Sequence, residues 1–263
     1  MSNILEKIVN TKLQEVKKHI EHESMDSLKN HKGIKTSSRN FVEAIKFHHT
    51  RNSSAVIAEV KKASPSKGII RENFNPVEIA MSYEKGGAAC LSVLTDEQYF
   101  KGHLSYLNLV RSQVELPILR KDFIIDPYQI YQAKAYGADC ILLIVAILSE
   151  RQLLEFEKIA FDLDLSVLVE VHSQEELEVA LKMQTPLLGI NNRNLKTFDV
   201  SLETSLSLKK NVSEDRIVVT ESGIFSKQDV MLMSDAGIKT FLVGESFMRE
   251  EDPGSALQNL FYN

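Results

Sequence analysis

The hydrophobic pattern of the chain changes near residue 50. Before that point, apolar residues recur at helical spacing from Ile4 to Ile20 and again from Phe41 to Phe47, with a polar stretch over 21–38 between them. Such recurrence predicts two amphipathic helices. We expect residues 1–50 to form a helical extension packed on the main body of the protein rather than a separate domain.

From residue 54 onward, short apolar runs alternate with amphipathic segments. The apolar runs predict eight β-strands: Ala55–Val60, Ala89–Leu94, Pro117–Leu119, Cys140–Val145, Ser166–Val169, Leu187–Ile190, Ile217–Thr220 and Thr240–Val243. The other segments predict helices over 76–85, 104–114, 127–136, 150–161, 174–183, 226–236 and 253–260, with a weaker signal over 202–209. Nearly continuous apolar strands that alternate with helices are typical of a buried parallel sheet.

Eight consecutive strand–helix units satisfy the requirement of a (β/α)8 barrel. The alternative is an open, doubly wound sheet, which usually has fewer strands and a glycine-rich first turn that this sequence lacks. Helices are predicted to end at Gly87 and Gly137 and to begin at Asp126-Pro127 and Asp252-Pro253. These signals show that charged residues lie at the carboxyl ends of the strands. We therefore predict an α/β fold, a (β/α)8 TIM barrel that forms a single domain over residues 1–263.

Charged or polar side chains stand at the carboxyl ends of several predicted strands. They are Glu59, Lys61, Lys121, Glu170, Asn191, Arg193 and Glu221. Glu59 and Lys61 are two residues apart and therefore point the same way. An ion-pair network that only closes the barrel is the alternative for any one of them, but buried pairs seldom repay their desolvation. The whole set at one end of the barrel, where barrel enzymes place their active sites, indicates acid–base catalysis.

Two further features predict the shape of a substrate. Ser222-Gly223 and Gly244-Glu245 end consecutive strands, and a short helix predicted near Glu245 directs its positive end there, which predicts a phosphate site. The loop 64–68 is placed to close over the mouth. Candidate apolar partners for an aromatic ring are Phe100, Phe123 and Leu142. An aryl group, a phosphate and acid–base residues together fit one elongated substrate.

Composition narrows the function further. The net charge of −5 and the lack of a basic amphipathic helix argue against nucleic-acid and membrane partners. The two cysteines, Cys90 and Cys140, lie in apolar runs, so we expect buried thiols and a reducing cytoplasm. None of the seven histidines lies in a zinc-binding pattern, and His172, the only one near the proposed mouth, is interpreted as an incidental loop residue. We expect neither metal nor cofactor.

Several segments, in order along essentially the whole chain, resemble indole-3-glycerol phosphate synthase. They are Ala58–Gly68, Leu119–Ile124, Leu168–His172, Gly189–Leu195 and Thr220–Ile224, with weaker likeness at Val93–Asp96, Tyr99-Phe100 and Leu242–Glu245. The resemblance implies a barrel with an extra N-terminal helical segment across its mouth, and the single-function form of the enzyme. It also implies a reaction, in which 1-(2-carboxyphenylamino)-1-deoxy-D-ribulose 5-phosphate closes to indole-3-glycerol phosphate with loss of CO2 and water.

The resemblance assigns a role to each candidate residue. Lys121 is the acid at the ketone oxygen, Glu170 removes a proton or assists dehydration, and Lys61 contacts the substrate carboxylate. Either lysine remains a candidate for the acid of the dehydration step. The resemblance also implies that Glu59, Asn191 and Glu221 position these groups and that Arg193 helps to anchor Asn191 and the carboxylate region. Phe100, Phe123 and Leu142 would pack against the ring. Phosphate would contact Ser64, Ser222, Gly223, Gly244 and the N–H of Glu245.

Two alternatives stay open beside a synthase. One is a related phosphosugar isomerase, which needs a cysteine–aspartate pair that no strand end supplies. The other is a non-catalytic barrel that binds a phosphorylated aromatic compound or a partner protein. We expect a monomer that binds a small phosphorylated aromatic substrate.

Overall fold

A computed structural model describes residues 3–195 and 197–263. The predicted domain over 1–263 and the predicted extension over 1–50 include residues 1, 2 and 196, which lie outside the described residues. Within the described residues, no helix is long and apolar enough to cross a membrane.

Eight parallel strands close into a barrel. They are β1 (Ala55–Val60), β2 (Cys90–Leu94), β3 (Ile118–Lys121), β4 (Cys140–Ile144), β5 (Ser166–Val171), β6 (Leu187–Asn191), β7 (Ile217–Glu221) and β8 (Thr240–Val243). Each strand pairs with its neighbours in sequence, and β1 pairs with β8 to complete the ring. The predicted (β/α)8 barrel is confirmed.

The helices alternate with the strands as the pattern predicted. They are α1 (Asn3–His22), α2 (Met25–Asn30), α3 (Phe41–Thr50), α4 (Pro76–Lys85), α5 (Ser105–Arg111), α6 (Pro127–Ala135), α7 (Glu150–Asp162), α8 (Gln174–Ala180), α9 (Glu203–Lys209), α10 (Lys227–Asp235), α11 (Glu245–Met248) and α12 (Pro253–Phe261). Asp126 and Asp252 cap α6 and α12 through their side chains, as expected for aspartate before proline.

Several predicted boundaries differ from the structure. The third and fifth strands extend to Lys121 and Val171, each two residues beyond the prediction, and α5 and α8 end at Arg111 and Ala180, each three residues before it. The polar stretch over 21–38 contains α2 and a 3-10 turn over Lys32–Lys35, since Leu28 is fully buried there. The loop 64–68 is the turn of a small hairpin that pairs Ala63-Ser64 with Gly68-Ile69.

The barrel interior has an apolar lower layer and a helix that closes it. Ile57, Leu119 and Leu168 are fully buried within it. Phe41 and Ile45 of α3 are also fully buried and pack against the same residues, at the end where the strands begin. The opposite end, where the strands finish, is therefore the open one.

Helix α1 is fixed beside that open end by polar contacts. The Thr11 hydroxyl lies 2.9 Å from the Tyr99 hydroxyl. The Lys12 ammonium, 4% exposed, lies 3.0 Å from an Asp96 oxygen and 2.9 Å from an Asp122 oxygen. Charges buried this deeply hold the helix in one place, because separating them would leave carboxylates unpaired.

Candidate active site

All fifteen predicted site residues line one cavity at the open end of the barrel. The cavity encloses about 1180 Å³, including the part open to solvent. Its lining comes from most of the strand ends, from the 63–69 hairpin and from α1. The structure therefore brings the predicted residues together, while the role of each remains a prediction.

Strand alternation explains why the charged residues share this cavity. Successive residues of a strand point to opposite faces, so residues two apart share a face. Leu119 packs in the barrel interior and Lys121 follows two residues later; Leu168 and Glu170 stand in the same relation. On these two strands, the residues that point into the barrel therefore change from apolar to charged at the carboxyl end, which lines the cavity.

Lys121 stands at the centre of the charged residues. Its ammonium lies 3.4 Å from Glu170 Oε2 and 3.2 Å from Glu221 Oε2. Its side chain is 14% exposed, and the two carboxylates are nearly fully buried. The Lys121 ammonium is thus in contact with two buried carboxyl groups.

The pKa values of this group follow from that imbalance. Burial opposes the charge on Lys121, but Glu221 and Glu170 outweigh it and raise the pKa of the ammonium. Burial likewise opposes ionisation of Glu170, but Lys121 and His172 hold its pKa well below the ordinary range. Burial, with the nearby Glu170 charge, raises the pKa of Glu221 to about 8. Near pH 7 the group therefore contains a charged lysine, an ionised carboxylate and a protonated carboxyl, so that both acids and a base are present.

A second lysine–glutamate pair lies across the cavity. Lys61 forms an ion pair with Glu59, which is 5% exposed. Burial raises the pKa of Glu59, but Lys61 and Lys121 outweigh it and the net shift is downward. Glu59 is thus an ionised group that fixes Lys61, whose side chain is 16% exposed and accessible from the cavity.

Asn191 is held by three neighbours. Its side-chain oxygen accepts hydrogen bonds from the Arg193 backbone N–H and from the Ser222 hydroxyl, both at 3.0 Å. Its amide nitrogen donates to Glu170 Oε1 at 3.4 Å. Since the oxygen is occupied on one side, the amide is oriented so that its N–H groups face Glu170.

Arg193 contacts Asn191 through its backbone N–H, while its guanidinium is directed elsewhere. Only the Arg193 backbone contacts Asn191, and the guanidinium lies 3.4 Å from Glu245 Oε2 and donates to the Phe198 carbonyl. Glu245 also contacts Arg249 at 2.8 Å and Lys67 at 4.0 Å. The Glu245 carboxylate therefore holds the guanidinium towards the end of β8, and the contact of Arg193 with the substrate carboxylate region stays a prediction.

The predicted phosphate end is built from close backbone approaches. A Cβ atom at Gly244 would collide with the Glu59 carboxylate, so only glycine fits there. Gly223 has φ +88, a conformation that favours glycine. Helix α11 begins at Glu245, directly after Gly244, as expected. Ser64 and Ser222 line the same end of the cavity.

The apolar end of the cavity includes residues that the sequence analysis missed. The rings of Phe100 and Phe123 have centroids 6.0 Å apart, and Leu142 lies in the same lining. Ile4, Leu5 and Ile8 of α1 complete this wall. In the sequence, these residues indicate only an amphipathic helix. The signal that could have found them is their position at the start of α1, on its apolar face.

His172 was wrongly interpreted as an incidental loop residue. Its Nε2 lies 3.3 Å from Glu170 Oε1, and its Nδ1 lies 3.1 Å from Glu176 Oε2. Burial lowers the pKa of the imidazole, but the two carboxylates outweigh burial and raise it to about 10. A sequence signal existed, because His172 directly follows the strand and is two residues from Glu170.

Within residues 3–195 and 197–263, no three His, Cys, Asp or Glu side chains are arranged to hold a metal ion. Cys90 and Cys140 are free and buried, and burial raises the pKa of both thiols. Neither lies in the lining of the cavity. The chemistry available from the described residues is therefore that of lysines, carboxylates and amides.

Solved structures with similar folds are distant in sequence. The tryptophan synthase alpha chain of Legionella pneumophila aligns with a TM-score of 0.62 at 13% identity, over 84% of this chain and 93% of that one. KGPDC from Streptococcus mutans aligns with a TM-score of 0.60 at 13% identity, over 78% and 94%. At this identity, the similarity supports the barrel fold alone.

Sequence comparison is more specific. A family model described as indole-3-glycerol phosphate synthase matches residues 5–260. Proteins named indole-3-glycerol phosphate synthase are 56% identical in Polynucleobacter asymbioticus and 54% identical in an Acidovorax species, each aligned over 99% of this chain and 100% of the relative. The chain therefore belongs to the indole-3-glycerol phosphate synthase family and is a carboxy-lyase of tryptophan biosynthesis.

Proposed function

We propose that the cavity closes the indole ring of 1-(2-carboxyphenylamino)-1-deoxy-D-ribulose 5-phosphate through the residues predicted above. One observation carries the proposal: Lys121 lies between Glu170 and Glu221 in a cavity with an apolar end and a glycine-lined end. The three parts match the three parts of the substrate, which are a reacting ketone, an aryl ring and a phosphate.

Lys121 is the acid for ring closure. Attack of the ring carbon on the ketone develops negative charge on the ketone oxygen, and a proton must reach that oxygen. The Lys121 ammonium is charged at neutral pH and lies at the end of β3 with access to the cavity. A cation held in a largely water-excluded site stabilises such a developing charge more strongly than water does.

Glu170 is the base, and Lys61 binds the carboxylate that leaves as CO2. The pKa of Glu170 is held low, so the carboxylate is ionised when substrate binds. Loss of CO2 and then of water requires a proton to be removed from the ring system and one to be given to the departing hydroxyl. Glu170 takes the first. The second comes either from Lys61 or from Lys121, which must first regain a proton from solvent after ring closure. Glu59 and Asn191 hold these groups in place.

The substrate lies across the mouth of the barrel. Its ring packs on Phe100, Phe123 and Leu142 beneath the start of α1, and its phosphate contacts the backbone at Gly223 and Gly244. With the ring at the apolar end of the cavity and the phosphate at the glycine-lined end, the ketone would lie next to Lys121. Residues 1–50 act as a helical extension that covers the apolar end, and 1–263 act as one domain.

The chain works as a monomer in a reducing cytoplasm, without metal, cofactor or nucleic acid. Support comes from the cavity, whose acid, base and carboxylate-binding groups are all supplied by one chain, and from two free thiols that are buried. Light scattering on the purified protein should give about the chain mass of 29.7 kDa. A mass near twice that value would contradict the monomer.

The direct test is turnover of the carboxyphenylamino-deoxyribulose phosphate, followed by indole fluorescence. The chain contains no tryptophan, so a new indole is detected against tyrosine emission alone. We expect a rising signal without added metal or cofactor, and a loss of about 100- to 10,000-fold in kcat for Lys121→Ala. Substrate binding without product by the folded wild-type protein would instead support a binding function, and retained activity in Lys121→Ala would remove that residue's role.

A further inference from the structure

The ring of His172 lies between two carboxylates at the end of β5. Nε2 faces Glu170 Oε1 at 3.3 Å, and Nδ1 faces Glu176 Oε2 at 3.1 Å. The same Glu176 oxygen accepts the His172 backbone N–H at 2.7 Å, so the first turn of α8 holds both the backbone and the ring. The His172 side chain is 13% exposed. The ring is therefore fixed in orientation before any substrate binds.

Two carboxylates facing both ring nitrogens define the charge of the imidazole. A neutral imidazole has one N–H and one lone pair, and the lone pair would point at a carboxylate oxygen. An imidazolium has an N–H at each position, so it forms a hydrogen bond to Glu176 through Nδ1 and an ion pair, without hydrogen-bond geometry, to Glu170 through Nε2. The titratable groups facing the ring are Glu170 from β5 and Glu176 from α8. His172 is thus a second cation on Glu170, besides Lys121.

The two cations contact different oxygens of Glu170. Lys121 faces Oε2, whereas His172 and the Asn191 amide face Oε1. This division matters because the two cations differ in what the reaction does to them. When Lys121 gives its proton to the ketone oxygen it becomes neutral, and Glu170 would then be a buried carboxylate without that counter-charge. His172 does not line the cavity, so it contacts Glu170 but not the substrate and keeps its proton throughout.

We propose that His172 is a positioning residue, which keeps Glu170 ionised and oriented during the step in which Lys121 is neutral, and that Glu176 fixes it in that role. The proposal rests on the roles of Lys121 and Glu170 given above. It extends the site beyond the cavity wall, since neither His172 nor Glu176 belongs to the lining.

Three variants test the proposal. His172→Gln removes the charge and retains a hydrogen-bonding group. Glu176→Gln leaves His172 in place but removes its outer counter-charge. Glu175→Gln is the matched control, because Glu175 is the neighbouring carboxylate in the first turn of α8 and is fully exposed. For each variant, kcat and KM are measured between about pH 6 and 9, the range in which histidines near the ordinary pKa titrate, and folding is checked by the melting temperature.

His172→Gln should lower kcat by about 10- to 100-fold, the loss expected when a reacting group is misplaced. KM should change little, because His172 does not line the cavity. Glu176→Gln should give near wild-type kcat at the acid end and should lose activity as pH rises, at least about one unit earlier than the wild type, because an opposite charge shifts a pKa by that amount. Glu175→Gln should follow the wild type.

The pH dependence separates positioning from simple packing. A loss in Glu176→Gln that is constant across the pH range, or an equal loss in Glu175→Gln, would overturn the proposal. So would His172→Gln with wild-type kcat. If His172→Gln does not fold, the Glu176→Gln profile decides alone. A wild-type enzyme that makes no indole product would instead mean that the proposed function itself is wrong, which keeps the two failures apart.

Discussion

Two buried charge clusters stand on opposite sides of strand β3, and they are built differently. The inner cluster faces the cavity and comprises Glu59, Lys61, Lys121, Glu170 and Glu221. The outer cluster comprises Lys12, Asp96, Arg120 and Asp122 and contacts helices α1 and α6. Arg120 and Lys121 are adjacent, so alternation along one strand sends one residue to each cluster.

The outer cluster satisfies its charges closely. Asp122 accepts hydrogen bonds from the Thr95 hydroxyl, from the Phe123 backbone N–H and from Arg120, besides its contact with Lys12. Burial opposes ionisation of Asp122, but Lys12 and Arg120 hold its pKa well below the ordinary range. Asp96 Oδ2 has no hydrogen-bond donor among the described residues but lies 3.0 Å from the Lys12 ammonium, so each carboxylate of the outer cluster has a cation beside it. Such a network rigidifies the structure around it.

The inner cluster leaves buried polar atoms without hydrogen-bond partners. In the part of the chain that the structure describes, neither oxygen of Glu221 has a hydrogen-bond donor, and its nearest cation is Lys121 at 3.2 Å. The two hydrogen bonds that reach Glu170, from Lys121 and Asn191, are both 3.4 Å long. Buried polar groups are normally paired, and exceptions ask for an explanation. The proposed function supplies an explanation, in which the substrate completes the network when it binds.

The comparison teaches that burial of charge alone does not identify an active site. Both clusters are buried, and both shift pKa values. What differs is whether the protein supplies all the partners. Stability is expected to depend on the outer cluster and turnover on the inner one, which each of the following variants tests.

Lys12→Met should produce the largest loss of stability. The substitution leaves Asp96 without its cation and Asp122 with Arg120 alone. Removing one partner of a buried ion pair costs roughly 3–5 kcal/mol. The free energy of unfolding, measured with urea, should fall by that amount, while kcat should change less than about tenfold, since an ion pair that touches no reacting group contributes mainly to the fold. KM should rise, because α1 carries part of the cavity wall.

Lys17→Met is the matched control for that variant. Lys17 is exposed on the same helix, so its replacement should change the unfolding free energy by no more than about 0.5 kcal/mol. If Lys12→Met were as stable as Lys17→Met, the outer cluster would not hold the helix in place.

Glu221→Gln should alter the pH profile of turnover. Burial and Glu170 raise the pKa of Glu221 to about 8, so the wild-type side chain is protonated at pH 7 and ionises as the pH rises through 8. An ionised Glu221 holds the Lys121 proton more tightly, and kcat should then fall. Gln mimics the protonated form, so the variant should lack this alkaline limb and retain kcat at pH 7 within about tenfold, the lower range of acid–base effects.

The result that would contradict this account is an alkaline limb near pH 8 that persists in Glu221→Gln. Another group would then cause it, and the protonated carboxyl would have no part in the cycle. A Glu221→Asp variant, which shortens the side chain but keeps its charge, is the comparison, because it should retain a limb.

Glu245→Ser should have the smallest effect. The Glu245 carboxylate contacts Arg193, Lys67 and Arg249, so removing it frees cations near the proposed phosphate end. We expect KM for the phosphorylated substrate to fall by up to about fivefold, the range of partly exposed ion pairs, with kcat unchanged. Glu250→Ser, an exposed neighbour, is the control. A KM that rises in Glu245→Ser would place the phosphate elsewhere.

The sequence predicted the barrel because its signal is repeated and local. Eight apolar runs of strand length, each followed by a helical pattern, leave few other folds, and the charged residues at the strand ends, with Glu59 and Lys61 two residues apart, predicted the inner cluster. The resemblance to the family supplied the roles, which periodicity cannot supply. The placement of all fifteen residues on one cavity follows from the two together.

What the sequence could not supply depends on contacts between distant segments. Lys12 and Asp122 are far apart in the chain, and nothing in either segment indicates that they meet. The Arg193 guanidinium contacts Glu245 rather than Asn191 because of where β8 ends relative to β6. The second carboxylate that contacts His172 belongs to Glu176, in the first turn of α8. In each case the decisive partner is set by packing.

The measurement that tests the central claim most directly compares Lys121→Met with Lys12→Met, with kcat and the free energy of unfolding determined for both. Each replaces a buried lysine by an apolar side chain of similar length. We predict that Lys121→Met loses at least about 100-fold in kcat and less stability than Lys12→Met, which keeps most of its kcat. The reverse pattern, with turnover lost through Lys12 and stability lost through Lys121, would contradict the assignment of chemistry to the inner cluster.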